Sequence, residues 1–471
     1  MSMHAQPLEA IPEMTARMAR ASFPHGTLAI MLRDALEGIY SDEAFEKLYP
    51  KRGRAAMAPW RLAIVLVLQT IEGLSDAQAV AMVRGRLDWK YALSLPLDDI
   101  GFDASILTDF RQRLVDHQAQ ELLLDPLLRL CVKRGWVQEK GKQRMDSTLV
   151  LSSGRRLNSL ESVGETLRRA LNALADEAPE WLLSVITEDW FDRYVHRFEL
   201  QRFPKGKQAQ EALLRSVGED GWKLLDALKR KDTPKGLKEM EEVLLLETVW
   251  SQHYEEKEGK VNWRDGPAQK NANRVVSPYD EEARESQKRE TKWLGYKVHL
   301  VKTCNEMEKV HLVTHVETTA ATVPDVERTE ALLDAVSRKG FEPEEALMDT
   351  GYVSGALLVK QRKKGREIIG PALPDPSKQQ KMGYGLTAFQ LDWQEKKAIC
   401  PTGQKSQHWI AKKGNRGEDA FQIFFASTVC QQCEVKTLCT KSVKGGRTLT
   451  VYPQEIHEAI VERQAHRPAR S

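Results

Sequence analysis

Apolar residues recur at helical spacing through the first part of the chain. Segments 28–40, 60–71, 76–83 and 107–114 each repeat an apolar side chain every three or four positions, as a helix with one buried face requires. Ser75 stands where an N-cap is wanted for the helix beginning at Asp76. The most apolar run, Leu62 to Leu68, is bounded by Arg61 and Gln69. It is far shorter than the roughly 20 residues that span a bilayer and reads as a buried helix. A further helix opens near Ser105 and carries Arg111 and Arg113. Two short helices, a turn and a third helix with basic residues suit a helix-turn-helix reader of duplex DNA. A helical packing domain with a solvated arginine face fits the same pattern. An all-α N-terminal domain is therefore drawn over residues 1–138.

The period changes after residue 140. Residues 142–152 read as a strand, and a long helical stretch rich in Leu, Glu, Arg and Trp follows at 156–250. Residues 253–290 are almost wholly polar and read as a linker. Alternating apolar positions return at 294–302 and 310–317. A helix follows at 326–336, ended by Gly340, then a strand leading to Asp349, a helix at 355–364 and a short strand from Glu367. Strands alternating with helices predict a mixed α/β layer fold, with a core at 139–155 plus 291–375 interrupted by a helical insertion and linker at 156–290. From 376 to 450 the chain reads as loop-rich and holds four cysteines. A final helix pattern occupies 451–471.

Composition narrows the function less than the pattern does. The 471 residues are 41% hydrophobic and 29% charged, with a mean hydropathy of −0.49 and a net charge of +3. Global charge does not announce a nucleic-acid binder, so any DNA contact must come from local basic stretches. Two such stretches, 284–292 and 360–366, are candidates for phosphates or are solvated charged faces. No apolar leader is read in the first 25 residues, and six cysteines do not make a secreted disulfide framework, so the expectation is cytoplasmic.

Candidate chemistry centres on Asp146 and Asp349. Each follows Met at the end of an apolar or β-prone run and precedes a small hydroxyl residue, where a strand is expected to give way to a turn. Converging carboxylates suit Mg²⁺ or Mn²⁺, which take oxygen ligands and activate a nucleophile for in-line attack on a phosphodiester. Alternatively each Asp caps a turn. Cys400, Cys430, Cys433 and Cys439 have the residue types of a Zn²⁺ site, or are free thiols of a reducing compartment. His299, His311 and His315 read as structural strand histidines. Asp325, three residues after Thr322, reads as a helix cap.

Several motifs occur in an order that resembles the DDE transposases of bacterial insertion sequences. They are Phe23-Pro-His-Gly26, Asp88-Trp-Lys-Tyr-Ala-Leu93, Gly101 to Leu114, Thr314 to Asp325, Met348-Asp-Thr-Gly-Tyr352 and Cys400-Pro-Thr-Gly followed by Cys430-Gln-Gln-Cys433 and Cys439. The resemblance implies an RNase H-like core split by a helical insertion. It also implies metal-dependent cleavage and joining of double-stranded DNA, and a homodimer at synapsis. It places the family's first two catalytic aspartates on Asp146 and Asp349. The family's third acid is a glutamate on a later helix, usually followed by Gly. Glu455, Glu458 and Glu462 have no such Gly and read as a solvated face. The expectation is a truncated transposase with impaired activity, the alternative being a non-catalytic DNA-binding remnant that occupies element ends.

Overall fold

In the computed structural model of the chain the N-terminal periodicity becomes helices: α1 (Glu13–Ser22), α2 (Leu28–Ala35), α3 (Asp42–Phe45), α4 (Pro59–Glu72), α5 (Asp76–Gly85), α6 (Leu87–Ala92), α7 (Ser105–Asp116) and α8 (Glu121–Lys133). The structure describes all residues except 1, 4, 6–7, 36–37, 153–156, 202, 205, 258, 265–273, 289, 309, 415–416 and 466–471. Two compact units divide the chain. One comprises Met1–Gln143, Lys302–Thr314 and Ala335–Glu344; the other comprises Arg144–Val301, His315–Asp334 and Glu345–Ser471.

The first unit is organised around α4. Pro59 opens this helix, where a missing N–H costs nothing, and Gly73 ends it in the left-handed region at φ 65°. Ser75 caps α5, as the sequence predicts, and forms with Gln78 a reciprocal capping box. Leu62, Val65 and Leu68 of α4 are buried with Phe45, Trp89, Leu107 and Phe110. Each fully buried side chain of this size contributes about 1.5–3 kcal/mol. Helices α4 and α5 meet at 110° across a short turn. Together they have the length and apolar character of a membrane span, but they are sharply bent and line a buried core. Among the described residues no single helix is long and apolar enough to cross a membrane.

The second unit holds most of a mixed sheet and a helical insertion. Strand β1 (Lys140–Leu151) is followed by α9 (Ser159–Glu177), α10 (Pro179–Val185), α11 (Glu188–Tyr194), α12 (Lys207–Leu228) and α13 (Glu241–His253). Asn158 and Glu161 cap α9 reciprocally. The insertion packs aromatic rings onto bare glycine backbone. Gly221 lies against Trp250 and Gly218 against Tyr254, and a Cβ on Gly221 would sit 2.1 Å from the Trp250 ring. Trp250 Nε1 donates to the Gly218 carbonyl at 3.0 Å.

The polar stretch 253–290 is not simply a linker. It forms the hairpin β2 (Tyr254–Lys257) and β3 (Lys260–Trp263), then β4 (Arg284–Lys288), which pairs antiparallel with β5 (Thr291–Thr303). Short, charge-rich strands hide their period, and the hairpin is held by Tyr254 and Trp263 packing edge to face at 5.1 Å. Residues 265–273 lie outside the described residues.

Then follow β6 (Val313–Ala320), α14 (Asp325–Arg338), β7 (Glu342–Leu347), α15 (Gly355–Lys363) and β8 (Glu367–Ile369). The sheet order is β4-β5-β1-β7-β8, with β6 also on β5, and β7 and β8 are parallel. Beyond it lie α16 (Lys378–Lys381), β9 (Gln390–Asp392), β10 (Lys397–Ile399), β11 (His408–Lys413), β12 (Asp419–Phe424), α17 (Ser427–Gln431), α18 (Lys436–Cys439), β13 (Thr448–Val451) and α19 (Gln454–Ala465). The expected loop-rich character of 376–450 is corrected. β11, β12 and β13 form an antiparallel sheet, and Phe389, Ile423, Phe425, Leu449 and Val451 make a small core of their own.

Candidate active site

Strand β1 alternates cleanly around its aspartate: Gln143 and Met145 are buried, Arg144 and Asp146 exposed. Asp146 therefore sits within β1, which continues to Leu151, and not at the strand end the sequence suggested. The alternation is what aims its carboxylate outward. Strand β7 is the neighbour of β1 in the sheet, and Asp349, two residues beyond its end, is the cap of a 3₁₀ turn at Thr350–Tyr352. The two aspartates thereby line one cleft of about 390 Å³ with Arg144, Met348, Ile369, Gly370 and Arg463. Gly370 is required there, because a Cβ would stand 2.4 Å from the Met348 carbonyl.

Each carboxylate is held by one oxygen. Ser147 N donates to Asp146 Oδ1 at 2.9 Å and Gly351 N donates to Asp349 Oδ1 at 2.9 Å. Arg144 stands 3.8 Å from Asp146 Oδ2. Asp349 thus combines a turn-capping hydrogen bond with an exposed carboxylate, so the two sequence readings are compatible there, whereas Asp146 caps no turn and is exposed from within its strand. Oxygen donors on rigid backbone fit a hard divalent cation. Among the described residues no group of three or more His, Cys, Asp or Glu side chains is arranged to hold a metal ion.

Beneath the pair lies a hydrogen-bonded set that sequence reasoning missed. Tyr352 is fully buried; its hydroxyl lies 2.7 Å from His299 Nδ1 and is hydrogen-bonded to the Ser147 side chain. His299 Nε2 lies 3.0 Å from Thr319 Oγ1. Burial raises the Tyr352 pKa, and Asp325, Asp349 and Asp146 raise it further. Burial likewise lowers that of His299. Asp325 opens α14 and pairs with Lys297 at 3.0 Å. Asp325 and Asp349 approach Gly351 from two sides, each with an oxygen 3.1 Å from where its Cβ would be. The Gly-Tyr following Asp349 was the available signal for this set; Arg463 had none.

The other expected residues fall elsewhere. Arg111 and Arg113 lie on α7 in the first unit. Arg111 forms a two-pronged pair with Asp76, and the Arg113 guanidinium sits 4.9 Å over the Tyr49 ring and donates to Leu48 O. The basic residues of 360–366 are paired with acids: Lys360 with Glu330, Arg362 with Glu462, Lys363 with Glu455, Arg366 with Asp334. Glu455 and Glu462 are thus turned to α15, and Glu458 accepts from Gln454.

Cys400, Cys430, Cys433 and Cys439 line one small pocket, and their thiols are free. Gln404 N donates to Cys400 Sγ at 3.3 Å and Arg447 N to Cys430 Sγ at 3.4 Å. Burial raises the Cys439 pKa; Arg447 opposes this and the other three cysteines add to it.

Residues 18–113 match a transposase domain family (DUF772), and residues 399–470 match a transposase DDE domain family. Both matched families are transposase families, and together they support an insertion-sequence DDE transposase. The first match runs from the second half of α1 to most of α7 and the second spans the four cysteines and α19, so neither includes Asp146 or Asp349. No curated protein and no solved structure matches the chain significantly. A mixed α/β architecture with a helical N-terminal region accords with a DDE transposase, whose family uses divalent metal and acts on DNA.

Proposed function

We propose that Asp146 and Asp349 form the metal-binding core of a transposase site that cuts double-stranded DNA at element ends. The observation that carries this reading is the shared cleft of the two exposed carboxylates, built on adjacent strands. Bound Mg²⁺ or Mn²⁺ would activate a nucleophile and stabilise the leaving oxygen. The chain's own contribution is to fix both carboxylates through Ser147 N and Gly351 N and to keep one face of each open. The order β6-β5-β1-β7-β8, broken after β1 by α9–α13, supports an RNase H-like core. The 110° α4–α5 corner with Gly73 in its turn supports a helix-turn-helix that meets DNA, with Arg111 beside it. We place the protein in the cytoplasm, acting as a homodimer when two ends are joined.

No third carboxylate completes the site among the described residues, and the three glutamates of α19 face other partners. The reading therefore includes slow cleavage and little strand transfer. The four cysteines that line one pocket, with N–H donors on two of the thiols, support Zn²⁺ in the cysteine segment, which would require the thiols to close on the ion.

The test is Mn²⁺ binding by paramagnetic relaxation together with nicking of supercoiled DNA. Wild type binds Mn²⁺ and nicks slowly; Asp146→Asn and Asp349→Asn each lose both. Equal Mn²⁺ binding in all three proteins refutes the metal reading. The second reading, a DNA-binding protein without catalysis, is favoured by the α4–α5 corner; DNA retention unchanged by both aspartate variants, with no nicking by the wild type, selects it.

A further inference from the structure

A cleft that presents two carboxylates to a phosphodiester needs positive charge beyond the metal, because the ligand is itself an anion. Arg463 supplies it from α19. This helix is seated on α15 by Ile456 and Ile460, which press on Gly355 so closely that a Cβ there would stand 2.7 Å from both. Ion pairs Glu462–Arg362 at 3.0 Å and Glu455–Lys363 at 2.8 Å hold it along the same face. Gln464 Nε2 donates to Leu373 O at 3.1 Å just beyond. Arg463 is thereby presented to the cleft of Asp146 and Asp349 by a fixed element.

The guanidinium is also under-compensated. Its side chain is 12% exposed, and it is ion-paired to Glu367, whose own side chain is 42% exposed and shared with Arg362. Its Nε is buried with no hydrogen-bond partner among the described residues. Burial, and Arg362 next, lower its pKa, so the local field disfavours the cation that the cleft contains. A guanidinium offers donors in a planar fork that matches two oxygens of a phosphate.

We propose that Arg463 is the phosphodiester-binding group of the Asp146/Asp349 cleft, with Glu367 as a resting partner that a phosphate displaces. The identity of the ligand rests on the transposase reading above. Arg144, 54% exposed and 3.8 Å from Asp146, is a looser second cation on the other wall.

Thymidine 3′,5′-bisphosphate, titrated calorimetrically into the full chain with Ca²⁺ present, tests this. Arg463→Gln weakens bisphosphate binding by about tenfold or more, as loss of a charge-assisted hydrogen bond implies. Arg463→Lys weakens it less. Glu367→Gln strengthens it, because the competing carboxylate is gone. A purely structural Arg463–Glu367 pair predicts that both glutamine variants lose binding together, and that outcome overturns the proposal. Wild-type affinity in Arg463→Gln, or no bisphosphate binding by the wild type, also overturns it. Ca²⁺ binding without bisphosphate separates the two ideas. If Asp146→Asn and Asp349→Asn leave it intact while Arg463→Gln still weakens the bisphosphate, the metal reading fails and the anion site stands. If the aspartate variants abolish it and Arg463→Gln changes nothing, the reverse holds.

Discussion

Asp76 offers a quantitative probe of the helical corner. As the first residue of α5, it accepts from Gln69 Nε2 at 2.7 Å, Thr108 Oγ1 at 3.1 Å and both terminal nitrogens of Arg111. The Arg111 hydrogen bonds, partly offset by burial and aided by Gln69 and Thr108, pull its pKa down to about 2. Against an ordinary aspartate value of about 3.9, and at about 1.36 kcal/mol per unit, the upper bound is about 2.6 kcal/mol. Asp76 is 26% and Arg111 41% exposed. Solvent screening therefore reduces this to about 1–1.5 kcal/mol. The folded-state pKa lies below the unfolded one, so the contribution is fully present above about pH 4 and is lost as pH falls toward 2. Asp76→Asn should thus destabilise α4, α5 and α7 by about 1–1.5 kcal/mol at pH 7, the difference closing by pH 2. Urea unfolding followed by hydrogen exchange on peptides from these helices reads it locally. Equal stability at pH 7, or a penalty that persists unchanged at pH 2, refutes the assignment of the stabilisation to the ionised carboxylate. Arg111→Met in the same background should add little, because the pair is already broken.

Three further outcomes are expected. Gly221→Ala places a methyl 2.1 Å from Trp250; the overpacking, about 1–3 kcal/mol, outweighs the gain of roughly 1 kcal/mol in helix propensity, and the thermal midpoint drops. His253 is buried with neither ring nitrogen hydrogen-bonded among the described residues, and burial, with Arg274 next, lowers its pKa to about 4. Folding therefore loses stability as pH falls from about 6.5 toward 4, and His253→Leu should be up to about 2 kcal/mol more acid-resistant than wild type at pH 5 by denaturant midpoint. In the cysteine segment, stoichiometric Zn²⁺ should shield four of the six free thiols from alkylation, and six reactive thiols with Zn²⁺ present would discard that site.

Helix boundaries in the first unit were legible because a cap, a stripe and a stop coincide in α4 and α5: Pro59, the Leu62–Leu68 run, Gly73, then Ser75 and Gln78. The strands bearing the aspartates were legible for a different reason, their apolar flanks. What escaped was short and charged. β2, β3 and β4 are each four or five residues long, too short for a period of two to stand out even in β3, where Val261 and Trp263 alternate with Lys260 and Asn262. Arg463 and His299 escaped because their roles depend on which strands become neighbours. The pairing of β1 with β7 brings together residues from opposite ends of the core, and no local pattern encodes that adjacency.

The position of Asp146 inside β1 has a consequence for how this gene tolerates length changes. Side chains from Gln143 to Asp146 alternate between interior and exterior, Met145 inward and Asp146 outward. Deleting or inserting a single codon between Lys140 and Asp146 would keep every residue needed for chemistry yet exchange the two faces. Asp146 would enter an apolar interior that cannot solvate a carboxylate, and a thioether would face the phosphate. Substitutions at Gln143 or Arg144 leave that parity intact. In this strand, counting matters more than spelling.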